Sequence, residues 1–103
     1  MIPDRVVARI AARAAGTALH RITGPEYAGA DLTAPRAHAT THDGTARLAL
    51  TVDLPYPTDI TGTCRQLQHE ISEQVARLTG LDISEVMLTV RRLVVSGLPA
   101  RVQ

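Results

Sequence analysis

The chain has 103 residues, eleven arginines and no lysine against ten acids, a net charge of +1, and no Phe, Trp or Asn. That length fits one domain, and a quarter of Leu, Ile and Val places the chain above the disordered range, with an aliphatic, alanine-rich core. The balanced charge removes the simplest case for a nucleic-acid or anionic-membrane protein, one cysteine excludes a disulfide scaffold or thiolate metal cage, and no apolar run approaches a membrane span.

Residues 4–16 predict a helix, with Val6, Val7, Ile10, Ala11 and Ala14 as its apolar stripe, Asp4 as cap and Gly16 as stop. Residues 17–22 read as a short strand, and the aperiodic stretch 23–35, rich in Gly and Pro, as a mobile surface loop. Arg36–His42 and Thr45–Tyr56 flank Asp43-Gly44, a dipeptide that favours two-residue hairpin turns because both positions tolerate positive φ. In the second arm Ala46, Leu48, Leu50, Val52 and Leu54 alternate with Arg47, Ala49, Thr51 and Asp53, the period of a strand with one buried face; Pro55 and Pro57 are expected to end it.

Residues 59–79 carry the strongest helical pattern, with Ile60, Cys64, Leu67, Ile71, Val75 and Leu78 on one side and a Glu73–Arg77 pair on the other. Thr58 or Asp59 caps its start and Gly80 its end. Ile83–Val95 predicts a strand with Val86, Leu88 and Val90 facing one way and Met87, Thr89 and Arg91 the other; 96–103 reads as a fraying tail. The expected fold is a two-layer α/β (α+β) domain over 1–95, order α-β-β-β-α-β. Both helices cover one face of a small mixed sheet, and strands 46–55 and 86–95 run parallel.

No catalytic constellation is assigned. Asp4, Asp43, Asp59 and Asp82 each fall at a cap or turn, where Asp has a structural reason to be. Asp53 is read as a cross-strand partner of Arg91. Cys64, inside the apolar stripe, is read as a small core hydrophobe. His38 and His42 lie about 13 Å apart along a strand, too far to share a metal, and His20 is the one histidine placed to join either. No metal or cofactor site is assigned. Arg5, Arg9 and Arg13 recur at i,i+4 beside the first apolar stripe, either a contact for phosphate or an acidic partner or a plain solvated face. The missing Lys, Asn and Phe together point to GC-rich coding, so only the placement of the arginines is informative. With both helices on one side, Arg47, Thr51, Met87, Thr89 and Arg91 line the other, a surface for self-association or partner docking or a solvated face.

The sequence resembles the alkaline-shock-protein family of bacterial envelope-stress proteins. The resemblance is carried by Val6-Val7-Ala8-Arg9-Ile10-Ala11, Leu54-Pro55-Tyr56-Pro57, Leu78-Thr79-Gly80-Leu81 and Glu85-Val86-Met87-Leu88-Thr89-Val90. It departs where the family often has Gly, at Pro57, and at Gly16-Thr17, where a glycine-valine is usual. The resemblance implies a non-enzymatic cytoplasmic stress-response domain without cofactors. It also implies a homo-oligomer, some members of the family being held at the periphery of the membrane through a separate anchor protein, with no insertion of their own. The alternative is a small RNA-binding module using the Arg stripe with Arg47 and Arg91-Arg92. Against it stand the +1 charge, the lack of a GxxG clamp and the lack of a placed aromatic for base stacking.

Overall fold

Helix α1, Asp4–Thr23, opens with the Pro3 carbonyl accepting from the N–H groups of Val6 and Val7. The structure is a computed structural model and describes residues 2–23 and 34–95. The expected mobile loop over 23–35 falls, apart from its ends, outside the described residues, as does the tail 96–103. Two expectations for α1 are corrected. Gly16 does not end it, and residues 17–22 form its last turns rather than a strand. The reason is burial: Ala15, Ala18 and Leu19 carry the apolar stripe past the glycine into the core, and that gain overrides the local β preference of the segment. The buried stripe is accordingly Val7, Ala11, Ala15 and Ala18, with Val6, Ile10 and Ala14 only half-buried.

A glycine inside a helix costs about 0.5–1 kcal/mol relative to alanine through its excess freedom in the unfolded chain. The space for a methyl at Gly16 is open, its nearest neighbour being Pro35 Cδ at 3.9 Å. Gly16→Ala is therefore expected to raise stability by about 0.5–1 kcal/mol, read as a higher urea midpoint at unchanged slope. A lower midpoint contradicts the continuous helix.

Strands β1 (Arg36–His42) and β2 (Thr45–Tyr56) form the expected antiparallel hairpin. Asp43 and Gly44 turn at φ of 50° and 79°, the double positive φ that the dipeptide is suited to. Helix α2, Ile60–Thr79, is capped by Asp59, whose carboxylate accepts from the Gly62 N–H at 3.1 Å. It ends at Gly80, φ 76°, whose N–H donates to the Ala76 carbonyl. Strand β3, Asp82–Val95, then pairs parallel to β2, giving a mixed sheet in the order β1-β2-β3. The fold is the expected small α+β class, with α-β-β-α-β as its order of elements.

Both helices pack on one face. Leu48, Leu50, Val52 and Leu54 of β2 meet Val7, Ala11, Ala15, Ala18 and Leu19 of α1 and Leu67, Ile71 and Val75 of α2. The α2 stripe is rotated from the expected one: Thr63, Leu67, Ile71 and Val75 are buried, whereas Ile60 and Leu78 are exposed and Cys64 is half-buried. Arg77 hydrogen-bonds Gln74 and Glu73 pairs with His69, so the expected Glu73–Arg77 pair does not form. Arg21 near the end of α1 is ion-paired with Glu70 of α2.

Pro55 does not stop β2, which runs on to Tyr56. Because β1 begins opposite Thr51, β2 has a strand on one side only, among the described residues, from Val52 onward, and a residue without an N–H is tolerated there.

Candidate interaction surfaces

The sheet face turned away from the helices is built by alternation. Arg36, His38, Thr40 and His42 of β1 are exposed, as are Arg47 and Ala49 of β2 and Glu85, Met87 and Thr89 of β3. The register sets them in rows: Thr40–Arg47–Glu85, then His38–Ala49–Met87, then Arg36–Thr51–Thr89. Arg47 Nε donates to Glu85 Oε1 at 3.1 Å, so the charges of the first row neutralise each other. In the second row Ala49 offers only a methyl between two longer side chains. The result is a hollow of ≈ 250 Å³ bordered by His38, Thr40, Arg47, Glu85 and Met87. Met87 beside it is 55% exposed, a large apolar side chain presented to solvent.

Asp53 closes this face at one end. It is fully buried, with Arg91 Nε donating to one carboxylate oxygen and Arg92 Nε to the other, each at 3.1 Å. The cross-strand partner Arg91 is as expected; Arg92 is an addition. Strict alternation would send two successive arginines to opposite faces. A register shift, in which Val52 pairs with Val90 and Asp53 with Arg92, leaves Arg91 as an extra residue and lets both guanidinium groups reach one carboxylate. Thus Arg47, Thr51, Met87, Thr89 and Arg91 do share one face.

The Arg5, Arg9, Arg13 stripe is divided. Each i,i+4 step turns about 40° around a helix axis. Arg5 and Arg9 line a groove of ≈ 480 Å³ between α1 and β1, floored by Ala8, Ala12, Ala37 and Ala39. Arg13 instead borders a smaller depression between α1 and α2 with Ile10, Ala14 and Leu78. His38 lines both the groove and the sheet-face hollow, a bridging role that no periodicity reveals.

The remaining candidates take structural roles. Asp4 is the first residue of α1 rather than its cap, and its carboxylate accepts from the Thr41 hydroxyl, tying α1 to β1. Asp82 begins β3, its N–H bonded to the Gly44 carbonyl. Burial pushes the Cys64 thiol above its ordinary pKa, which disfavours the thiolate a nucleophile needs. His20 lies on α1, not on a strand beside His38 and His42. Among the described residues no three His, Cys, Asp or Glu side chains gather where they would hold one metal ion. No helix among them is long and apolar enough to cross a membrane.

No protein-family model, no curated protein and no solved structure matches this chain.

Proposed function

We propose that the chain is a non-enzymatic interaction domain that associates with further copies of itself through the helix-free sheet face. The observation that carries this reading is the combination of an exposed Met87, a hollow at Ala49 and internally paired charges on one flat face. Arg47 is matched by Glu85, and Arg91 and Arg92 by Asp53, so two such faces meet with little like-charge repulsion from these groups. A hollow beside a flexible methionine suits close packing between copies, because Met adapts to irregular gaps.

The resemblance to alkaline-shock proteins, carried by the residues quoted above, extends the proposal. The domain would act in the cell-envelope stress response, in the cytoplasm, gathered near the membrane by a separate anchor protein. Light scattering over a series from low micromolar to near-millimolar concentration tests the association. A mass that rises from monomer to a discrete oligomer is expected; a strict monomer throughout contradicts it.

A further inference from the structure

We propose that the groove between α1 and β1 binds an extended peptide segment of a partner protein, acidic at alternate positions, which adds as a strand to the free edge of β1. This surface meets the helix-free sheet face along the outer edge of β1, at Arg36 and His38, but its groove, with Arg5 and Arg9, lies on the helix side.

β1 is an edge strand, with β2 on one side and no strand among the described residues on the other. No strand among the described residues takes up its outward backbone N–H and C=O groups, and such groups pair readily with an added strand. The groove beside that edge is floored by methyl groups only, from Ala8, Ala12, Ala37 and Ala39, which leaves room for incoming side chains. Its rim is cationic: Arg5 and Arg9 are exposed and have no ion-pair partner among the described residues, and the one acid, Asp4, is occupied by Thr41. On the opposite side of the same edge Arg36 and His38 are exposed as well. An added strand alternates its side chains between these two sides, so carboxylates at every second residue fall beside Arg5 and Arg9.

The same charges disfavour the simplest alternative occupant. Antiparallel pairing of β1 with β1 of a second copy over its full length sets Arg36 opposite His42 and His38 opposite Thr40, and the seven residues of β1 hold no carboxylate to meet Arg36, Arg5 or Arg9. Single-stranded RNA meets the arginines but has no aromatic platform in the groove on which to stack.

Fluorescence anisotropy at low salt, with a labelled (Thr-Glu)4 peptide, tests the proposal. Saturable binding that weakens with salt is expected, with (Thr-Lys)4 and oligouridylate at least tenfold weaker. The variant Arg5→Glu/Arg9→Glu should lose (Thr-Glu)4 binding about tenfold or more and gain (Thr-Lys)4 binding. Both positions are exposed on the first turns of α1, where an acid suits the helix dipole, so circular dichroism should show an intact fold. Two further peptides, N-methylated on all Thr or on all Glu nitrogens, read the backbone pairing: one phase should lose binding and the other keep it. Equal binding of both phases, stronger binding of oligouridylate, or an unchanged double variant overturns the proposal. Sedimentation of the double variant keeps the two surfaces apart. Unchanged self-association is expected, and its loss would assign the groove to a second copy instead.

Discussion

Replacing Asp53 by alanine is expected to lower stability by about 2–3 kcal/mol, the largest effect of any single polar change in this domain. The carboxylate is fully buried and accepts from two guanidinium groups. Removing one partner of a buried ion pair ordinarily costs about 3–5 kcal/mol because the other charge is stranded. Here the side chains of Arg91 and Arg92 are 38% and 52% exposed, so water recovers part of their solvation and the lower figure applies. Two adjacent arginines then repel one another at a bulge that has lost its counter-charge.

Asp53→Asn should cost nearly as much, since either orientation of the amide aims an NH2 group at one of the two arginines. Arg91→Ala alone should cost less, because Arg92 still neutralises the carboxylate. Thermal melts read these differences directly. At about 4–8 °C per kcal/mol for a domain of this size, Tm falls by about 10–20 °C for the aspartate variants. A loss of only a degree or two would mean that the bulge is held by the strand ladder and not by the ion triad. The same variants should also associate less well, because losing the carboxylate adds net positive charge to the proposed contact face.

The triad shows where sequence patterning stops being informative. Asp53 and Arg91 are readable as a pair because strand alternation puts both on one face of neighbouring strands. Arg92 is not, since a register shift breaks the alternation and no local residue announces the bulge. β2 is readable over its whole buried face because its period of two is uninterrupted from Ala46 to Leu54, and α2 because Asp59 and Gly80 mark both ends. The end of α1 is hidden for the opposite reason. Gly16 and the β-prone residues after it argue for a stop, but Ala15, Ala18 and Leu19 find burial against β2 and α2 that only the assembled core supplies. Small residues make that contact possible, and alanine carries little signal in a hydrophobic pattern. The α2 stripe is displaced by a similar effect: Thr63 faces the core where a purely hydrophobic reading selects Ile60 and Cys64.

The candidate surfaces divide along the same line. Arg47, Thr51, Met87, Thr89 and Arg91 can be grouped from alternation and the parallel register alone. The separation of Arg13 from Arg5 and Arg9, and the position of His38 between groove and sheet face, depend on where α1 lies over the sheet. That placement is set by tertiary packing and has no periodicity of its own.

The central proposal, that the helix-free sheet face joins copies of the chain, is tested most directly by one substitution at its exposed apolar residue. Met87→Arg replaces a side chain that borders the hollow with a charge next to the balanced Arg47–Glu85 pair. Met87 is 55% exposed, so the folded monomer should tolerate the change within about 0.5 kcal/mol. In an interface related by two-fold symmetry, however, the substitution appears twice and places two unpaired charges in a desolvated contact. Sedimentation velocity of the wild type and of Met87→Arg over one concentration series is predicted to show association in the first. In the second it should be weaker by about 10- to 100-fold, or about 1.4–2.7 kcal/mol. Equal association of the two proteins, at equal stability, would contradict the account.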